Sequence, residues 1–232
     1  MSDILAWSYS RLRTFRQCPL KSYWQNYAPK GERLPYTQSE AAARGERIHK
    51  HCEQAAIRAI THGDAAIGDP SIADAMPVIH SFARNYDEIY PERKTALTAD
   101  LKPTGYFAKN VMMRCGLDLT GISGNRAGLI DWKTGGKEGR LKADDQLELF
   151  AGVVFVLHPQ VDIVETAYMF LDHRKSVPET FHRQDNDFIW QKFRDEAELI
   201  QIAYERNEWP AKKSVLCGWC DVPRTHCIHG KG

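Results

Sequence analysis

The chain is predicted to be an α/β protein built on a mixed central sheet with helices on both faces. Residues 97–132 carry strand-like runs separated by turn formers, enough for three strands. Residues 141–157 then place Leu147, Phe150, Val153, Val154 and Leu157 on one side of a helix. A further apolar run at 163–171 supplies the next strand. The order strand-strand-strand-helix-strand, with helical segments before and after it, is that of a layered α/β domain.

Taken from the start, residues 8–28 open on a capping-type Ser8, set Leu12 and Phe15 three apart as in a short amphipathic helix, and restart after Cys18 with Pro19 at a first helical position. Arg11, Arg13, Arg16 and Lys21 are interleaved there with Tyr23, Trp24 and Tyr27. Such a blend can stack on a single nucleic-acid strand, but packing is the commoner use of its aromatics. Residues 39–60 form a strong helix apart from Gly45, whose cost of about 1 kcal/mol relative to Ala suggests close approach by another element. His49 follows one turn later on the same side, and His51 projects elsewhere. Residues 62–72, with Gly63, Gly68, Asp69, Pro70 and Ser71, read as a loop. The spacing of Met76, Ile79, Phe82 and Tyr86 predicts a helix over 72–90, closed by Pro91. After the central strands and helix, 178–183 is expected as a short edge strand and 187–206 as a long amphipathic helix.

The stretch Gly128-Leu129-Ile130-Asp131-Trp132-Lys133-Thr134-Gly135 organises the chemistry. Period-two alternation puts Asp131 and Lys133 on one face of a strand, so whatever meets one meets the other. A carboxylate suits a hard divalent cation, and an ammonium beside it can orient or deprotonate water and offset charge on a phosphorane. Asp118 supplies a second acid at the end of the run 110–119. Turn formers at 120–125 predict an antiparallel hairpin that returns Asp118 beside Asp131. Taken alone, an Asp-x-Lys pair on a strand is more often a solvated ion pair.

The chain has 232 residues and a formal net charge of +1, which argues against a uniformly basic nucleic-acid coat and leaves local patches. Residues 1–50 hold nine Lys/Arg against four Asp/Glu, and further clusters fall at Lys137, Arg140, Lys142 and at His173-Arg174-Lys175. No apolar run approaches a membrane span, and Met1-Ser2-Asp3 lacks the basic start of a signal peptide. A soluble, cytoplasmic protein is expected. No phosphate-binding helicase loop is present, so any unwinding needs a partner.

Six cysteines in such a chain point to metal or redox chemistry before disulfides. Cys217-x2-Cys220 and Cys227 crowd the C-terminal segment, one ligand short of a closed site. Cys18 is the preferred fourth ligand, joining the two ends of the chain, whereas His226 or His229 in its place would suit Zn2+. Cys52 and Cys115 read as buried hydrophobes.

Gly45-Glu46-Arg47-Ile48-His49, then Asp118, then Asp131-Trp132-Lys133-Thr134-Gly135, then Gln146-Leu147-Glu148-Leu149-Phe150 resemble the PD-(D/E)XK nucleases of the RecB and Cas4 type. The resemblance implies a restriction-endonuclease-like core over 40–208 with a helical insertion at about 60–95, a helical segment over 1–30 and a cysteine tail over 209–232, all one nuclease domain. It implies His49, Asp118 and Asp131 as metal ligands for Mg2+ or Mn2+, with the Trp132 carbonyl beside them and Asp118, Asp131, Lys133 and Gln146 in the reaction. It also implies a [4Fe-4S] cluster on Cys18, Cys217, Cys220 and Cys227, as in AddB-type enzymes, with the gap to Cys227 one residue longer than the commonest spacing. Phe150 stands where the family's helix carries a Tyr, and Asp118 follows Gly116-Leu117 rather than a proline. The implied activity is a DNA exonuclease on single-stranded or end-exposed DNA, in phage or bacterial recombination, repair or CRISPR spacer acquisition. The other reading is a cluster-bearing DNA-binding or adaptor protein with a non-catalytic site.

Overall fold

The computed structural model describes residues 5–35, 38–63, 69–135 and 144–230. The chain divides into two compact units, residues 38–190 and residues 1–37 together with 191–232.

The first unit is organised on a six-stranded sheet in the order β2-β1-β3-β4-β5-β6. Its strands are β1 (Glu88–Leu97), β2 (Pro103–Thr104), β3 (Met113–Ser123), β4 (Arg126–Lys133), β5 (Ile163–Phe170) and β6 (Lys175–His182). All neighbours pair antiparallel except β4 and β5, which run parallel and are joined through a helix, as a parallel pair requires. The sheet is therefore mixed, as expected.

With α1 (Tyr9–Gln17) and α2 (Pro19–Ser22) in the other unit, the helices on this sheet are α3 (Glu40–His62), α4 (Met76–Asn85) and α5 (Gln146–Leu157). Ile48, Cys52, Ala55 and Ala59 of α3 and Ile79 and Phe82 of α4 form one core with Leu119, Ile130 and Trp132 of the sheet. Asp131 and Lys133 alternate to the opposite face, where both meet Gln146 of α5. Ser39 caps α3 by accepting the Ala42 N–H at 3.1 Å. Gly121 and Gly128 are register partners across β3 and β4, and a side chain at either would run into the ring of Tyr86. The paired glycines thus form a notch that seats Tyr86 on the sheet.

Three expectations are corrected. The helix expected over 72–90 ends at Asn85, and β1 begins at Glu88 with Pro91 inside it. Pro91 fits because β2 pairs only with Ala96 and Leu97, so β1 has a free edge where a missing N–H is tolerated. The hairpin turn expected over 120–125 narrows to Gly124-Asn125, since β3 runs on to Ser123. Helix α5 buries nearly every side from Leu147 to Phe155, rather than one face. The sheet covers one side of it, and Ile189 and Trp190 pack at Gly152. The remainder of the helix expected over 141–157, residues 141–143, lies outside the described residues.

The second unit holds α1, α2, a π turn (Tyr23–Tyr27) and most of α6 (Asn186–Arg206). Its aromatics are used in packing. Tyr27 stacks on Trp209 at 5.2 Å, Tyr23 meets the same indole at 5.3 Å, and Trp24 stacks on His226 at 3.9 Å. Two of the N-terminal arginines are also engaged internally: Arg16 pairs with Glu196 at 2.5 Å, and Arg11 donates to the Ala6 carbonyl at 2.6 Å. Lys137, Arg140 and Lys142 lie outside the described residues. Among the described residues no helix is long and apolar enough to cross a membrane.

Candidate active site and metal centre

Pairing of β3 with β4 stops at Leu119 and Ile130, and the next residues, Asp118 and Asp131, are acids. The Asp118 carboxylate takes over the ladder there, accepting the Trp132 N–H at 2.8 Å on Oδ2. The same oxygen lies 3.3 Å from His49 Nδ1. His49 comes from α3, one turn beyond Gly45. A Cβ at Gly45 would sit 3.0 Å from Thr134 Oγ1, so the glycine lets α3 approach the end of β4 and carries His49 to Asp118.

Glu92 completes this cluster, its Oε1 lying 3.6 Å from His49 Nδ1. Among the described residues, His49, Glu92 and Asp118 are the one set of three metal-ligating side chains whose donor atoms lie within 4.8 Å of one another. Glu92 has φ +46°, a left-handed conformation within a strand, and the β1–β3 register passes over it and Asp118. Non-glycine residues held this way cost about 1–3 kcal/mol and concentrate at functional sites. One imidazole and two carboxylates make a donor set that fits a hard divalent cation.

On the α5 side, Lys133 Nζ lies 2.6 Å from Asp131 Oδ2 and donates to Gln146 Oε1 at 3.1 Å. Gln146 Nε2 in turn donates to Asp131 Oδ1 at 3.2 Å. Asp131 is 4% exposed, so these contacts partner a carboxyl group taken almost wholly out of water. Burial, and then the Asp118 charge, push its pKa well above the ordinary carboxylate range, against the opposing pull of Lys133. Burial opposes a charge on His49, yet hydrogen bonding and charge from Asp118 and Glu92 outweigh it and raise its pKa to about 10. In the metal-free protein His49 therefore holds a proton between two carboxylates. Cys52 is buried beneath the cluster, and burial first, then Asp118 and Glu92, push its thiol up to about 12. It is an inert core residue, as expected.

The backbone just after Lys133 is held by Asp172. Arg44, beside Gly45 on α3, donates to both oxygens of Asp172 at 2.8 and 2.6 Å, and Asp172 also accepts the Gly135 N–H at 2.6 Å. A cleft of about 480 Å³ opens beside His49 and Glu92, lined also by Glu46, Arg47, Lys50, Glu53 and Lys94.

Of the residues singled out from sequence, the structure thus brings His49 to Asp118, and Asp131, Lys133 and Gln146 to one another. Trp132 contributes its N–H to Asp118 and buries its side chain in the α3–α4 core. Phe150 is buried. Glu92 was not foreseen, because Pro91 reads as a helix stop and a positive φ leaves no sequence mark.

The family model of the PD-(D/E)XK nuclease superfamily matches residues 6–225. The chain belongs to the PD-(D/E)XK nuclease superfamily. Its members are nucleases that use divalent metals, so membership implies metal-dependent phosphodiester hydrolysis on DNA. No curated protein matches the chain significantly.

In the other unit, Cys18, Cys217, Cys220 and Cys227 all line one small cavity of about 30 Å³, with Lys212, Ser214 and His229. Backbone N–H groups of Lys212 and Ser214 point at the sulfurs of Cys18 and Cys217, each at 3.4 Å. Such donors stabilise thiolates, so the residues fit a thiolate-held group. No three of these sulfurs lie within 4.8 Å of one another.

Proposed function

We propose that this protein is a DNA exonuclease of the RecB and Cas4 type that hydrolyses phosphodiester bonds with Mg2+ or Mn2+. It would act on single-stranded or end-exposed DNA in recombination, repair or spacer acquisition, in a bacterial or phage-infected cytoplasm. The observation that carries the reading is the convergence of His49, Glu92 and Asp118, from α3, β1 and β3, beside the Asp131–Lys133–Gln146 triangle.

His49, Glu92 and Asp118 would hold the cation, with Asp131 completing the acidic face toward it. When bound, such a cation polarises a phosphate oxygen and lowers the pKa of water. Lys133 orients the attacking water and offsets charge as the phosphorane forms, and Gln146 fixes the ammonium by its 3.1 Å hydrogen bond. Asp131, paired at 2.6 Å, holds that ammonium from the other side. Arg47, Lys50 and Lys94 line the cleft and supply positive charge for flanking phosphates.

Cys18, Cys217, Cys220 and Cys227 would hold a [4Fe-4S] cluster that joins the two ends of the second unit. Their lining of one cavity supports the reading.

The test is cleavage of DNA labelled separately at each end, with Mn2+, Mg2+ or EDTA, by wild-type protein and Lys133→Ala. Release of nucleotides from one end, abolished by EDTA and by the substitution while DNA binding persists, supports the exonuclease. A folded protein that binds DNA and cuts no substrate supports the adaptor reading instead.

A further inference from the structure

Tyr168 stands directly beside Asp131 in the parallel register of β4 and β5, and its side chain is almost wholly buried. Lys133 Nζ lies over its ring, 4.6 Å from the centroid. Its hydroxyl is hydrogen-bonded to Asp144 Oδ1. The same carboxylate oxygen accepts the Gln146 backbone N–H at 3.2 Å, at the first residue of α5. The contacts close into a ring: Lys133 to Gln146, Gln146 to Asp144, Asp144 to Tyr168, and Tyr168 back to Lys133.

This arrangement meets a specific need. A lysine has a flexible stem and a freely rotating ammonium, so two polar contacts alone leave it loosely held. An aromatic face against the ammonium adds an electrostatic attraction that restricts it further. The hydroxyl then ties that face, through Asp144, to the residue that supplies Gln146. Packing alone would be served equally by a phenylalanine, which makes no bond to Asp144.

We infer that Tyr168 is a positioning residue for the nuclease centre, locking Lys133 by its ring and Gln146 by its hydroxyl through Asp144. The inference rests on the nuclease reading above. Tyr168→Phe keeps the ring and removes only the donor, and Asp144→Ala removes the acceptor. Each variant is expected to lower kcat on single-stranded DNA about tenfold, with KM and Mn2+ affinity unchanged. The double variant is expected to fall no further than Asp144→Ala, because that substitution already removes the Tyr168–Asp144 bond along with the Gln146 N–H contact.

A readout without metal or substrate accompanies this: acetylation of Lys133 by acetic anhydride, followed by mass spectrometry, is expected to quicken several-fold in both variants. Tyr168→Phe with wild-type kcat and wild-type Lys133 reactivity, or losses that multiply in the double variant, would overturn the inference and leave the nuclease reading standing. Wild-type protein that binds Mn2+ and cleaves no DNA would remove the nuclease reading, and the inference with it.

Discussion

The backbone N–H of Trp132 donates to the carboxylate of Asp118 at 2.8 Å, one step beyond the last ladder pair of β3 and β4. A side chain thus replaces a main-chain acceptor where the two strands part, and the acid is held by the sheet that it serves. Asp118→Ala leaves that N–H without its acceptor, a loss of about 1–3 kcal/mol. Asp118→Asn keeps an acceptor and most of the stability, yet still weakens a hard-cation site. Urea unfolding and Mn2+ titration of the two variants separate these effects.

Glu92 carries a prediction of its own through its left-handed backbone, φ +46°. Glycine adopts this conformation without strain, so Glu92→Gly is expected to be more stable than Glu92→Ala by about 1 kcal/mol in metal-free protein. Denaturation midpoints check this. Equal stability of the two would remove the strain.

The pH dependence of the metal-free protein follows from His49 and Asp131. The folded pKa of His49, about 10, is raised above the unfolded value of about 6.5. Its contribution is therefore complete below about pH 6.5 and lost as pH rises toward about 10. Asp131, also raised, acts in the same direction from a lower pH. The denaturation midpoint is expected to fall between pH 6 and pH 9, with a shallower fall in His49→Asn. A cation must displace the proton from His49, so Mn2+ binding near pH 8 is expected to release about one proton. Calorimetry in two buffers of different ionisation enthalpy reads this directly.

The cysteine module predicts a brown protein when purified without oxygen, with Cys18→Ser as damaging to the colour as Cys217→Ser. A colourless protein holding zinc would contradict the cluster.

Much of this site was legible because its residues obey simple periods. Asp131 and Lys133 share a strand face by alternation, and Gln146 falls within the helix that the sequence predicts over 141–157. Gly45 and His49 share a helix face, and the glycine marks the approach that the structure places at Thr134. Glu92 was not legible because its place depends on strand register and a left-handed φ, and Pro91 points to the wrong element. Tyr168 was hidden for another reason. Its pairing with Asp131 exists only across the crossover from β4 to β5, which no local pattern reports.

The most direct measurement is Mn2+ affinity and DNA cleavage under one set of conditions, for wild-type protein and for Glu92→Gln. Wild-type protein is expected to bind Mn2+ and cleave, and the variant to lose about tenfold or more in both. A Glu92→Gln protein that binds Mn2+ and cleaves DNA as the wild type does would contradict the assignment of the centre to His49, Glu92 and Asp118.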